Sequence, residues 1–288
     1  MRYFLGVDGG GTGCRALLVD ADGTVLGQGL AGPANIMSDA ASATAAIIEA
    51  SLQALQGRPP AEVAACLGIA GARISGAVGW LAPKLPFGRC RVLGDGEIAV
   101  AGALGARDGI VVALGTGSVF TRQKDGEFTS IGGWGPVLGD EGGGAWMGRQ
   151  LLARVLRAQD GLEPDTPLAR RILDRMGGPQ GIVSFARTAT GADFAAQVPA
   201  ILHAGADHRG DDPLAQAILA EAQAHIEAGI ARLQPDPALP DPVLPDSALP
   251  VVFAGRLGQV FAPRVSRWPQ AEALGSALDG ALRLARAL

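Results

Sequence analysis

Short apolar runs broken by glycine set the rhythm of the first part of the chain. Tyr3 to Val7, Cys14 to Val19 and Val25 to Ala31 are each bounded by turn-forming residues and predict three strands. The first break is Asp8-Gly9-Gly10-Gly11-Thr12-Gly13, and the second contains Asp22-Gly23, a hairpin dipeptide. From Ser38 to Leu55 the period changes. Ile47, Ile48, Leu52 and Leu55 recur at helical intervals behind Ser38 and Asp39, either of which can cap a helix. Val63 to Ile69 predicts another strand, ending in Gly68-Ile69-Ala70-Gly71, a small-residue turn that lets a ligand come close. After a loop with Pro83 and Pro86, Cys90 to Leu93 predicts a short strand and Ile98 to Leu104 a helix, with Gly94-Asp95-Gly96-Glu97 between them.

The pattern then repeats. Gly109 to Leu114 runs into Gly115-Thr116-Gly117-Ser118, then Val119-Phe120-Thr121, then Asp125-Gly126. Strand, Gly-Thr-Gly loop, strand, Asp-Gly turn and strand follow in the order of the first segment. A tripeptide can recur by chance in a chain with 43 glycines, but here order and spacing recur with it. The pattern therefore predicts an internal duplication. The expected fold class is α/β, with two similar domains at 1-106 and 107-288 and a cleft between them, their loops holding the two ends of a polyphosphate.

In the second half, a glycine-rich stretch from Thr129 to Gly144 leads into a helix at Ala145 to Ala158. Each glycine there carries an ordering cost of about 0.5–1 kcal/mol, which favours a binding loop over a merely structural one. Asp140 and Glu141 can alternatively cap the helix. Thr166 to Arg175, Gly191 to Ala204 and Pro213 to Leu233 read as helices. Residues 236–250 form a triplicated Asp-Pro-rich pentapeptide whose prolines predict a surface loop without chemistry. Val251 to Ala254 predicts a buried strand opening onto a turn, Gly255-Arg256-Leu257-Gly258, where a base or ribose can lie against backbone. Ala273 to Leu288 closes the chain as a helix with Leu274, Ala277, Leu278, Ala281, Leu282 and Ala285 on its apolar side, placed to pack back toward the first domain.

Composition narrows the function classes. The 288 residues suffice for two cores, and 48% hydrophobic with 18% charged residues is ordinary for a globular protein. Mean hydropathy is positive because alanine and glycine abound. No apolar stretch approaches the ~18 residues needed to cross a bilayer, and a strand pattern starts at Tyr3 where a signal sequence would stand, so the expectation is a cytoplasmic protein with no membrane partner. A net charge of −4 without a basic stripe argues against nucleic-acid binding. Cys14, Cys66 and Cys90 are widely spaced in apolar runs and read as buried reduced thiols. His203, His208 and His225 make no metal-ligand pattern.

Several residues carry chemistry. Asp8 to Gly13 offers a carboxylate at a strand end, backbone free to approach a ligand, and the Thr12 hydroxyl, which suits a phosphate and its Mg²⁺. The dinucleotide fingerprint is excluded, because a strand and a hairpin turn follow Gly13 where a helix would be needed. Asn35, in the Gly32-Pro33-Ala34-Asn35-Ile36 loop, can read a polyol through its amide or simply stabilise a turn. Asp95 stands at a strand-to-helix junction, where α/β sheets gather ligands and where a carboxylate also caps helices.

With these residues assembled, the chain resembles the actin-like ATPase superfamily, whose domains are ribonuclease H-like. More narrowly, it resembles the BadF/BadG/BcrA/BcrD-type branch that contains N-acetylglucosamine kinase and bacterial glucosamine kinase. The resemblance covers nearly the whole chain, and its most specific run is Gly133-Trp134-Gly135-Pro136-Val137-Leu138-Gly139-Asp140-Glu141-Gly142. It implies ATP-dependent phosphorylation of an amino sugar at the 6-hydroxyl. Asp95 would be the catalytic base. Asp8, Gly10, Gly11, Thr12, Gly13, Gly115, Thr116, Gly117, Gly255 and Arg256 would hold ATP, with Asp8 helping to place Mg²⁺. Asn35, Gly71, Ser118, Gly133, Trp134, Gly135 and Asp140 would contact the sugar, and the protein would be a homodimer. Val119 departs from the polar residue that amino-sugar kinases often carry after the serine. Two other readings exist. One is an ATPase that activates a dehydratase through an iron–sulfur cluster, which would need thiolate ligands near a subunit seam. The other is a sugar-binding regulator, for which no helix-turn-helix precedes the first strand. The repressor/open-reading-frame/kinase glucokinases would carry a zinc-binding cysteine cluster that is missing here.

Overall fold

The computed structural model describes residues 2–205, 212–235 and 248–288. In chain order the elements begin with β1 (Tyr3–Gly9), β2 (Cys14–Val19), β3 (Val25–Ala31), α1 (Ala40–Leu55), β4 (Val63–Ile69), α2 (Ala72–Ser75), α3 (Ala77–Trp80), β5 (Arg89–Gly94) and α4 (Asp95–Leu104). They continue with β6 (Gly109–Leu114), β7 (Ser118–Lys124), β8 (Glu127–Gly132), α5 (Gly144–Gln159), α6 (Pro167–Met176), α7 (Gly178–Ala186), α8 (Gly191–Ala195) and α9 (Val198–Ala204). The last are α10 (Pro213–Leu233), β9 (Val251–Ala254), α11 (Arg256–Phe261) and α12 (Ala277–Arg286). The triplicated pentapeptide falls mainly on 236–247 and His208 on 206–211, both outside the described residues.

Two sheets carry the duplication. The first runs β3-β2-β1-β4-β5 and the second β8-β7-β6-β9, so each hairpin pair is followed by the same neighbour, and β5 is the extra strand. In the first sheet β1 pairs antiparallel with β2 and parallel with β4, which pairs parallel with β5. Every residue of β4 is buried, as expected of a central strand covered on both faces.

The chain divides into two compact units. One holds Met1–Val111, Thr121–Ser130 and Ala271–Leu288, and the other Val112–Phe120 and Ile131–Gln270. Both are discontinuous in sequence, unlike the stretches 1-106 and 107-288. In the first unit α12 lies against α4 and β1 at close quarters. A Cβ at Gly102 would meet the Ser276 carbonyl oxygen at 1.8 Å, and one at Gly280 the Ile98 carbonyl oxygen at 1.9 Å. Gly102→Leu should therefore destabilise this unit by at least the 1–3 kcal/mol typical of overpacking, read as a fall in Tm by calorimetry. In the second unit the buried Asp212 carboxylate joins two helix starts. It accepts from Leu214 N–H and Ala215 N–H of α10 and from Leu168 N–H of α6.

Several elements differ from the sequence reading. The helix of Gly191 to Ala204 is two, α8 and α9, because Pro199 has no N–H to continue the first and instead occupies the opening turn of the second. The closing helix starts only after Ser276, whose hydroxyl and Asp279 form a capping box, leaving Leu274 outside it and exposed. Helix α1 starts at Ala40 behind its cap Asp39, and Leu52 faces solvent while alanines at 43, 46, 50 and 54 face the core. Residues Arg256–Phe261 are helical rather than a turn. Helices α2, α3 and α7 are too short or too glycine-rich to show a periodic pattern.

Candidate active site

Three parallel strands of the first unit, β1, β4 and β5, end on one edge, and the loops leaving them converge there. Ala70 N–H donates to the Gly9 carbonyl (2.8 Å), Ala34 N–H to Gly10 (2.8 Å) and Ile36 N–H to Ala70 (3.1 Å). These bonds gather Asp8, the loop at Gly10 to Gly13, Asn35 and Gly71, and the parallel pairing of β5 with β4 brings Asp95 to the same carboxyl ends, where α/β sheets hold ligands. Gly10 N–H closes the loop on the Gly13 carbonyl at 2.9 Å. Thr12 is exposed, and its hydroxyl has no protein partner among the described residues.

Asp95 opens α4, and its neighbour Glu97 relieves it of capping. The Glu97 carboxylate accepts the Gly94 N–H at 2.6 Å, while Asp95 Oδ1 accepts from the Gly96 N–H at 3.0 Å. Asp95 is an exposed residue, yet the protein around its carboxyl takes away part of that group's hydration. This desolvation, with the nearby Asp8 charge, holds it above the usual carboxylate range against the Gly96 N–H, its own N–H and the Arg73 guanidinium. Asp8 itself is paired: Arg15, directly opposite it in the hairpin register, donates to one carboxylate oxygen at 2.6 Å. Asn35 accepts the Met37 N–H through Oδ1 (3.0 Å) and so serves its turn. Its amino group has no partner among the described residues. A Cβ at Gly71 would lie 3.0 Å from that same oxygen.

The second unit holds the other loop. Gly115 N–H bonds the Gly117 carbonyl (3.0 Å), a closure like that of Gly10 on Gly13, while Gly144 N–H and Ala145 N–H at the start of α5 bond Gly115 and Thr116 carbonyls. A depression of about 360 Å³ is lined by Gly115, Gly117, Ser118, Val119, Gly133, Asp140 and Gly255 among others. Asp140 does not cap α5. Its φ is +59°, it is buried, its Oδ1 accepts the Gly135 N–H at 3.1 Å, and its Oδ2 lies 2.2 Å from where a Gly117 Cβ would stand. Burial first, and the adjacent Glu141 charge second, raise its carboxyl above the usual range. Ser118 is buried and donates to the Glu141 carbonyl at 2.8 Å, so its proton is committed to the loop. Gly255 packs on the Leu114 carbonyl so closely that a Cβ would lie 2.2 Å from it.

A second cavity of about 510 Å³ in the same unit has Thr116 and Arg256 at its polar end and Ala196, Val198, Leu202, Leu257 and Val260 among its apolar walls. Its size and lining suit a flat heterocycle with a polar tail. Trp134 is 63% exposed and lines neither cavity; Val137 and Leu138 beside it are also exposed. Arg149 of α5 donates to the Pro136 carbonyl and steadies this loop. Cys14 and Cys66 are buried and Cys90 half-buried, all free, and burial pushes each thiol up to about 12, which makes them poor thiolate ligands.

Sequence reasoning missed two arginines. Arg15 was readable from its position across the Asp8 loop. Arg73 had no signal, because it sits on a single helical turn that only the fold brings beside Gly94.

The donor set at the first edge fits Mg²⁺. The Asp8 charge acts on Asp95, and Asp8 keeps one oxygen clear of Arg15. Mg²⁺ is commonly held by one or two carboxylates plus phosphates and water, so a larger cluster is not required.

The sequence profile of the BadF/BadG/BcrA/BcrD ATPase family matches residues 5–254. The chain is 32% identical to the glucosamine kinase GspK of Vibrio cholerae over 289 aligned residues, covering 96% of this chain and 95% of that one. It is 32% identical to an N-acetylmuramic acid/N-acetylglucosamine kinase of Clostridium acetobutylicum over 183 residues, 60% of each chain. A solved structure from Chromobacterium violaceum, provisionally assigned as an N-acetylglucosamine kinase, superposes with a TM-score of 0.78 at 33% identity, covering 99% of both chains.

Proposed function

We propose a specific reaction on the premise that the chain belongs to the BadF/BadG/BcrA/BcrD ATPase family and is an ATP-dependent kinase of a small-molecule sugar. The acceptor is an amino sugar, glucosamine or N-acetylglucosamine, and the products are its 6-phosphate and ADP. The observation that carries the reading is Asp95: a carboxylate at the carboxyl edge of the sheet, freed from capping by Glu97 and kept from full hydration.

In the reaction the sugar 6-hydroxyl oxygen bonds to the γ-phosphorus, the bond to the bridging oxygen breaks with its electrons leaving on ADP, and the hydroxyl proton passes to Asp95. Phosphoryl transfer needs positioning and charge stabilisation more than covalent help. Asp95 orients the hydroxyl and accepts its proton. The backbone of Gly10 to Gly13 and of Gly115 to Gly117, with the Thr12 and Thr116 hydroxyls, binds phosphate oxygens, while Gly255 and Arg256 border the nucleoside. Asn35, Gly71, Gly133, Gly135 and Asp140 position the sugar, Ser118 fixes the Asp140 loop, and Trp134 contacts the sugar from its exposed position. Asp8 would hold Mg²⁺, which when bound neutralises charge on the phosphates. A cytoplasmic homodimer completes the proposal, on the family resemblance.

The test is a panel of free sugars with MgATP, read by ADP release. Turnover of glucosamine or N-acetylglucosamine well above other hexoses is expected, and none on either would refute the acceptor assignment. The pH profile is a further expected outcome. A base must be deprotonated, so kcat/KM should fall as pH drops through the raised Asp95 value, placing the acid limb above the ordinary aspartate value of about 3.9.

A further inference from the structure

The geometry points to Arg73 as the residue that binds the transferred phosphoryl group on the acceptor side and holds the sugar 6-phosphate product, an inference that rests on the reaction proposed above. Arg73 is an exposed arginine on α2, two residues after Gly71. Its stem lies over β5's last residue: a Cβ at Gly94 would be 3.8 Å from its Cδ and 3.9 Å from its Cγ. The guanidinium is thereby carried beside Asp95, close enough for its charge to oppose the rise in that carboxyl. Gly71, on the other side, abuts the Asn35 oxygen. Arg73 is therefore two residues along the chain from the Asn35–Gly71 contact, with its stem over the residue that precedes the proposed base.

Charge accounting at this edge gives it a task. Arg15 is committed to Asp8 at 2.6 Å. Asp95 has no ion-pair partner, and Arg73 makes no hydrogen bond or ion pair among the described residues. Once the new oxygen–phosphorus bond forms, a phosphate ester with nearly two negative charges stands among two aspartates. Beside the Mg²⁺ that Asp8 would hold, Arg73 is a cationic side chain at this edge with no hydrogen bond or ion pair among the described residues, and its planar N–H fork matches two phosphate oxygens at once, which a lysine does not. The free sugar carries no such group, so Arg73 distinguishes product and transition state from ground-state acceptor.

The test is calorimetric titration of Arg73→Met with glucosamine 6-phosphate and N-acetylglucosamine 6-phosphate, together with both free sugars. Product affinity should weaken by about 10–100-fold, the range for a lost charged hydrogen bond, with free-sugar affinity within twofold, kcat lowered at least tenfold and Tm unchanged. Arg73→Lys should restore part of the product affinity. Unchanged product affinity in Arg73→Met overturns the assignment, as does an equal loss for the free sugars. If the unaltered protein phosphorylates neither sugar, the reaction proposed above fails and this inference with it. If it does phosphorylate one and Arg73→Met binds product normally, only the role of Arg73 fails.

Discussion

Asp95→Asn should lower kcat by about 10²–10⁴, the span associated with losing a general base, while the Kd for the free sugar stays within a few-fold. The substitution is nearly isosteric and keeps the group that accepts the Gly96 N–H. It leaves the start of α4 intact, because the cap at that position is the Glu97 carboxylate and not Asp95. A drop in kcat would thus report lost proton acceptance rather than a frayed helix, and equal Tm values for both proteins would make the point independently. Asparagine cannot take up the hydroxyl proton at any pH, so the acid limb expected of the unaltered protein should vanish from the residual activity. Near-normal turnover would remove Asp95 from the base role.

Asp140→Ala should raise the sugar KM by about 10–100-fold, since hydrogen bonds to charged groups are worth roughly 1.5–3 kcal/mol. Alanine at φ +59° also strains the backbone. Asp140→Asn is the companion variant because asparagine tolerates that conformation, and it should fall between the two. Gly117→Ala offers a second route to the same defect without touching the carboxylate. Its new Cβ would stand 2.2 Å from Oδ2 and drive Asp140 out of place. Combining Gly117→Ala with Asp140→Ala should then cost little more than either alone, since both remove one interaction. Additive effects, measured from KM in the double-mutant cycle, would mean that the two residues act separately.

Strands were the most legible part of the fold. Cys14–Val19, Val25–Ala31, Val63–Ile69, Gly109–Leu114 and Val251–Ala254 lie where the apolar runs and flanking turn residues put them. The repeated Gly-Thr-Gly hairpin predicted an internal duplication, and both sheets carry a three-stranded hairpin run followed by one further strand, with β5 extra in the first. Helices were less legible because alanine and glycine do much of the packing. In α1 the conspicuous Leu52 is exposed, while the alanines that touch the core carry little hydrophobic signal. Likewise Gly102 and Gly280, which let α4 and α12 approach, read in the sequence only as weak helix residues. Gly255 begins a helix that the eye takes for a turn, since four residues with two glycines lack a period.

At the site, the residues that fall at strand ends were readable from order along the chain. Asp8, Gly71 and Asp95 each follow an apolar run, and a parallel sheet brings such ends together. What the sequence leaves open is pairwise geometry. The capping alternative at Asp95 turns on Glu97, three residues along from Gly94, whose carboxylate is the group that accepts the Gly94 N–H. Ser118 reads as a ligand contact, and only the fold shows that its hydroxyl also donates to the Glu141 carbonyl, leaving its oxygen to accept. Arg73 depends wholly on tertiary placement.

The most direct test is to incubate the purified protein with ATP, Mg²⁺ and glucosamine or N-acetylglucosamine and to locate the phosphate in the product by phosphorus–proton correlation NMR. Coupling of the phosphorus to the two protons on C6, with one ADP formed per ester, is the predicted result. Phosphate on another carbon, or ADP formed with only inorganic phosphate beside it, would contradict the account.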